Sequence, residues 1–304
     1  MQVTAKKRSN AFRKTPGERI FDFINGFILV LLCIVTLYPM WYVIVASFTE
    51  NSYLVAHPGT ILWPVGFTVG SYELAFTHPL LVSGYLNILF VLVVSLPINI
   101  LLTLFCGYFL ASKNVMFKKP VLGIIMFTMF FSGGMIPTYL NVRSLGLYNS
   151  LWALILPGAM SVYNSIICRT AIEAVPDSLE ESAHIDGAND LRILVSIVLP
   201  LSVPSIATIT LFYAVGYWNS YMNMILYVSK SDMKVLQQVL NDVISSTTAL
   251  NQQATLDSAD VAQPMASESV KSAAIVIATV PIMCVYPFLQ KYFVKGVMIG
   301  AIKG

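Results

Sequence analysis

PDSLEESAHIDGANDLRILVSIVLP, residues 176–200, is the densest charged interruption in this chain. It holds Asp177, Glu180, Glu181, His184, Asp186, Asp190 and Arg192, with Glu173 just upstream. Ser178 and Glu181 stand in the S-x-x-E spacing of a capping box, which predicts a helix starting just after Pro176. Gly187 supplies a left-handed residue to end it. Asn189 or Asp190 then caps a second helix, which continues into ILVSIVLPLSVPSIATITLF. The pattern is a helix of about two turns on a membrane surface, a glycine hinge, and a helix entering lipid. Such a helix can serve as a rigid lever. The plainer reading is an ordinary loop between spans.

The surrounding sequence supplies the lipid. Of 304 residues, 57% are hydrophobic and 11% charged, with mean hydropathy +0.74. Soluble domains carry about a quarter charged residues, so the bilayer is the solvent. The net charge of +3 is no footprint of a nucleic-acid binder. Cys33, Cys106, Cys168 and Cys284 all fall in apolar runs without CxxC spacing. They read as small buried hydrophobes rather than metal ligands or disulfides.

Residues 1–20 form a basic tail (Lys6, Lys7, Arg8, Arg13, Lys14, Arg19), and 21–48 a first span with Pro39 near its outer end. The loop 49–82 has no Lys or Arg, which fits the outer side. Span two covers 83–111, with a kink near Pro97. A short inner loop carries Lys113, Lys118 and Lys119. Span three, 119–140, is interrupted at Gly133, Gly134 and Pro137. Span four covers 149–171, span five 193–228 and span six 270–290. Between the last two, 229–268 is polar, and Leu236, Val239, Leu240 and Val243 recur at helical spacing for a small outer helix. Its Ser/Thr/Ala/Asp-rich remainder reads as loosely ordered. Spans two to six make a core over 83–290, and 291–304 is a tail. With both ends cytoplasmic, the inner segments hold fourteen of the 18 Lys and Arg, and Arg143, Lys230, Lys234 and Lys271 lie outside. That satisfies the positive-inside rule. The expected fold class is an all-α membrane protein of six transmembrane helices.

The missing chemistry narrows the function. No phosphate loop occurs, and the sequence contains no Gly-Lys pair. No HExxH and no paired carboxylates within a span are present. An ion-coupled carrier usually keeps intramembrane acids, and an enzyme needs an activated nucleophile or acid–base pair. A conduit without its own motor or catalyst remains.

Glu181-Ser182-Ala183, then three residues, Gly187, nine residues, and Ile197-Val198-Leu199-Pro200 resemble the EAA loop, E-A-A-x3-G-x9-I-x-L-P, of permease subunits in binding-protein-dependent ABC importers. Ser182 is the one departure and keeps a small side chain. IDGA (185–188), LPLSVPSIATITLF (199–212), Trp218-Asn219 and YPFLQKYFVKGVMIGAIKG (286–304) resemble the carbohydrate branch, in particular the smaller, second permease of maltose-type oligosaccharide systems. The resemblance implies the type I importer fold. It also implies a related second permease in a heterodimer, two ATPase subunits that use ATP and Mg2+, and an extracytoplasmic solute-binding protein. No cofactor is implied on this chain. Carried over, Glu181 contacts a basic residue of the ATPase, Ala183 packs into its cleft and Gly187 is the hinge, with Ser182, Asp186 and Pro200 in the same coupling loop. The tail with Gly296, Gly300 and Lys303 points toward the ATPase.

Oligosaccharides are held by aromatic faces and polar side chains. The candidates in the spans are Asn87, Asn99, Tyr163, Asn164, Trp218, Asn219, Tyr221 and Asn223. For Trp218 an interface anchor or packing role competes with the pathway role. Glu268 and Lys271 read as a helix-end charge pair, with contact to the binding protein as the alternative. A non-sugar polar solute is the alternative cargo.

Overall fold

A computed structural model describes residues 15–77, 79–113, 115–253 and 268–301, and every regular element among them is helical. α1 (Pro16–Ser47) starts where the sequence provides a complete cap. The Thr15 N–H donates to Glu18 Oε2 at 2.7 Å, the Glu18 N–H donates to Thr15 Oγ1 at 3.3 Å, and Pro16 occupies the first turn. Pro39 is accommodated inside it. Only the far end of α1 is buried, at Val45, Ala46 and Ser47. The connection that follows holds two short helices, α2 (Asn51–Ala56) and α3 (Gly70–Thr77).

α4 (Pro79–Ala111) is the central helix of the core. It packs on α8, α12 and α14. α5 (Lys118–Phe130) and α6 (Met135–Ser144) are separated by Phe131–Gly134 and bent by 112°. The interruption expected at Gly133 and Gly134 is present, and Gly134 takes the left-handed φ of 88°.

Two of the stretches expected as single spanning helices are divided. The fourth divides into α7 (Trp152–Ile155) and α8 (Val162–Ile172) around Leu156–Ser161. Pro157 and Gly158 stand in that gap. The fifth does not run straight from 193 to 228. α9 (Asp177–Ile185) is followed by one rod, Asp190–Leu201, made of α10 (Asp190–Ile193), a π turn over Leu194–Val198 and α11 (Leu199–Leu201). The chain then bends 84° at Ser202 into α12 (Val203–Trp218). Two prolines explain this. Pro200 offers no N–H to the Ser196 carbonyl, and the preceding turn widens into π geometry. Pro204 cannot continue the ladder across Ser202, and a first-turn proline suits a new helix start.

α13 (Tyr221–Tyr227) and a 3-10 turn (Ser231–Met233) lead to α14 (Leu236–Gln253). The apolar stripe read from the sequence is its buried face: Leu236, Val239, Leu240 and Val243 are all in the core. The loosely ordered remainder expected between α14 and the last span lies, for 254–267, outside the described residues. α15 (Glu268–Ala301) runs through Pro281 and Pro287 and packs against α1, α12 and α14.

Among the described residues, three helices are long and apolar enough to cross a bilayer: Pro16–Ser47, Leu80–Ala111 and Glu268–Val285. Each bent pair adds one crossing, for up to five.

Candidate functional site

Two regions gather the residues singled out above. The first is the 176–200 segment. α9 starts at Asp177, but the capping box expected from Ser178 and Glu181 does not form; Pro176 is the N-cap and provides no side-chain bond. Ser178 is already helical, and its carbonyl accepts the Ser182 hydroxyl at 2.7 Å. The C-terminus follows expectation closely. Gly187 has φ 81°, its N–H donates to His184 O at 3.0 Å, and the Ala188 N–H donates to Ala183 O at 2.9 Å. These two bonds form a Schellman motif. Asn189, not Asp190, caps the next helix, accepting the Arg192 N–H at 2.9 Å. His184 Nε2 faces Asp190 Oδ1 across the hinge at 3.7 Å.

α9 presents two different faces. Ala183 is only 9% exposed and belongs to the chain's own core. Its side chain is an inward anchor, and its methyl group is not free for a cleft in another subunit. Glu181, Ser182, Asp186, Gly187 and Pro200 are all exposed. So are Leu179, Leu191 and above all Ile185, which is 87% exposed. An isoleucine this open on a polar helix forgoes roughly 1.5–3 kcal/mol of burial. Reading the segment for its charges overlooked Ile185. The signal was an apolar residue two positions before the helix-ending glycine.

The second region is a cavity of about 590 Å³ at the interrupted fourth span. Tyr163 and Asn164 from α8, Ser161 and Gly158 from the gap, and Gly216, Ser220 and Asn223 from the α12–α13 side line it. Among the described residues no charged side chain takes part. Buried backbone that leaves a helix must be paired by other protein groups or face a cavity. Both occur here. The Ser161 N–H donates to Tyr213 Oη at 2.8 Å, and Tyr213 Oη lies 2.7 Å from Thr103 Oγ1. The Tyr217 hydroxyl donates to Ile155 O at 3.3 Å and lies 3.1 Å from the amide of fully buried Asn99. α4 and α12 thus hold the ends of the gap. Tyr217→Phe leaves the Ile155 carbonyl and Asn99 short of a partner. A loss of about 1–3 kcal/mol is expected, seen as a lower unfolding temperature in detergent with the chain still inserted.

Trp218 and Tyr221 do not join this cavity. Together with Asn219 they line another, of about 550 Å³, between the end of α12, α14 and α15. Trp218 is 6% exposed and meets the Tyr85 ring edge-on at 5.8 Å, so packing is its visible role. Tyr221 Oη accepts from the Asn241 amide. Asn219 is exposed, and its amide donates to Val215 O at 3.0 Å. Asn87 is structural, its amide donating to the carbonyls of Asp232 and Lys234 at 2.9 Å each. Lys271 pairs with Glu268 at 3.0 Å as a helix-end charge pair. The expected tail is helical through Ala301, placing Gly296 and Gly300 on α15, while Lys303 lies outside the described residues.

Comparison with known proteins agrees with this architecture. The chain is 40% identical over 287 residues to the polygalacturonan/rhamnogalacturonan transport system permease protein YtcP of Bacillus subtilis, covering 94% of this chain and 99% of that protein. It is 40% identical over 297 residues to Protein LplC of the same organism, covering 97% and 99%. A bacterial ABC transporter that imports the acidic polysaccharide alginate contains a chain that superposes with a TM-score of 0.83 at 30% identity, covering 92% of this chain and 99% of that one. Residues 64–299 match the family described as binding-protein-dependent transport system inner membrane component, and this chain is a member of that family.

Proposed function

We propose that this chain is one permease subunit of an ATP-driven oligosaccharide importer, forming half of the translocation pathway and receiving force through residues 176–200. The observation that carries the coupling reading is the outer face of α9. Glu181 and the open Ile185 lie together on a short helix closed by the Gly187 Schellman turn. A charged contact ringed by desolvated apolar side chains is how interfaces concentrate binding energy. In this reading the chain crosses the membrane six times with both ends in the cytoplasm, α7, the 156–161 gap and α8 making the fourth crossing. The distribution of Lys and Arg supports that orientation. A related second permease completes the pathway, two separate ATPase subunits bind ATP and Mg2+, and an external binding protein delivers the sugar. The C-terminal stretch with Gly296, Gly300 and Lys303 points toward the ATPase.

The neutral, amide- and hydroxyl-lined cavity at Tyr163 and Asn164 suits sugar hydroxyls rather than carboxylates. One relative is named for polygalacturonan and rhamnogalacturonan transport and the solved transporter for alginate import, so galacturonate oligomers are the first cargo to try. In this reading the binding protein and the sister permease recognise the acid groups. Asn223, exposed at the start of α13, belongs to the same wall, while Asn219 faces the other cavity.

The test is purification of the intact assembly from native membranes. A separate ATPase should copurify, and Ile185→Asp and Glu181→Ala should each weaken its retention by tenfold or more, since loss of an interface anchor costs about 2 kcal/mol or more. Unchanged ATPase retention in both variants would overturn the coupling reading. Uptake driven by an ion gradient without ATP would overturn the importer reading.

A further inference from the structure

Besides its continuation through residues 173–176 into α8, α9 is held at the Gly187 hinge, at the buried Ala183 and at a third point. The third is Lys113. It lies in the connection between α4 and α5; Lys118, the first residue of α5, donates to the carbonyls of Ala111 and Ser112 at 3.2 and 3.0 Å and so closes the end of α4. Lys113 reaches away from α4. Its Nζ donates to Oδ2 of Asp177, the first residue of α9, at 2.5 Å. The two residues are 64 apart in sequence, and only the fold brings them together. The Asp177 hydrogen bond and charge, with a smaller contribution from Glu181 and Glu180, hold the Lys113 ammonium above its ordinary pKa. It therefore stays charged across physiological pH and is lost only above its usual alkaline range.

Two of these ties lead to elements that brace the break at 156–161. Through Gly187 the helix leads to the Asp190–Leu201 rod and α12. Through Lys113 it leads to α4, and α4 carries Asn99 and Thr103, which contact the tyrosines bracketing the gap in the fourth span. We propose that Lys113 is a positioning residue for coupling: a latch by which α9 moves the end of α4 together with the rod that follows the hinge. This inference rests on the coupling reading of residues 176–200. The latch is exposed on both partners, at 71% and 62%. Exposed pairs contribute little to folding, so its removal leaves the chain folded and isolates its effect on coupling.

The experiment uses the complete importer in liposomes, with its binding protein and a galacturonate oligomer, and measures sugar imported per ATP hydrolysed. Lys113→Glu replaces an attraction to Asp177, Glu180 and Glu181 by repulsion, and that ratio should fall about fivefold with the ATPase still bound. The exchanged pair Lys113→Asp with Asp177→Lys should restore most of it, which a merely disturbed loop would not allow. An unchanged ratio in Lys113→Glu, or no recovery in the exchanged pair, overturns the latch. If the unmodified chain retains no ATPase, the coupling reading itself fails; if it does and Lys113→Glu behaves like the unmodified chain, the latch alone fails.

Discussion

Gly187→Pro is expected to abolish uptake while the chain still inserts in the membrane. Gly187 sits at φ 81°, whereas proline is locked near −65°. Proline also lacks the N–H that donates to His184 O at 3.0 Å. Both bonds of the Schellman turn are lost, at a cost of about 3 kcal/mol or more. α9 then keeps Ala183 and the Asp177 contact but no defined angle to the Asp190–Leu201 rod. Gly187→Ala is the graded control. No atom lies within 4 Å of the added Cβ, so only the left-handed backbone resists it, by about 1–2 kcal/mol. Partial uptake is expected from alanine and none from proline, in a transport assay on matched amounts of assembled complex. Full uptake by the proline variant would sink the lever.

Gly107→Leu is expected to prevent accumulation of folded protein. Gly107 lies in α4 where it crosses α8, and a Cβ there would meet Cys168 Sγ at 2.7 Å, Cys168 Cβ at 2.9 Å and the Arg169 backbone nitrogen at 3.2 Å. Membrane helices approach this closely only where one presents a small residue. The Cys168 thiol can turn aside, but the α8 backbone cannot. Overpacking costs typically about 1–3 kcal/mol even where neighbours yield. Here the two helices must separate, and with them Asn99 and Thr103 from the gap they support. The measurement is the monodisperse fraction in detergent, with Gly107→Ala as the milder case. Wild-type yield and unfolding temperature in the leucine variant would show that α4 and α8 do not depend on this contact.

Much of the architecture was legible because lipid leaves few choices. Long apolar runs with basic flanks place α1, α4 and α15, and the glycines at 133 and 134 mark the break between α5 and α6. The apolar spacing from Leu236 to Val243 marks the buried face of α14. The breaks in the fourth and fifth spans were harder to read. Pro157-Gly158 and Pro200 with Pro204 stand inside hydrophobic stretches, where proline is compatible with either a kink or a full stop. Which occurs depends on whether neighbours can pair the freed backbone. At 156–161 they can, through Tyr213 and Tyr217, whose reach the linear sequence does not display.

The same division applies to residues 176–200. Local chemistry alone indicated a short helix, a glycine to end it and a cap at Asn189 or Asp190, because each needs only partners within five residues. The tertiary structure decided which face of that helix looks inward. Ala183 is buried and Ile185 is open because the core supplies a surface for one side of α9 only. It also separated Tyr163 and Asn164 from Trp218 and Tyr221 into two cavities, and brought Lys113 to Asp177. These are contacts between residues distant in sequence, and no local spacing encodes which of them meet.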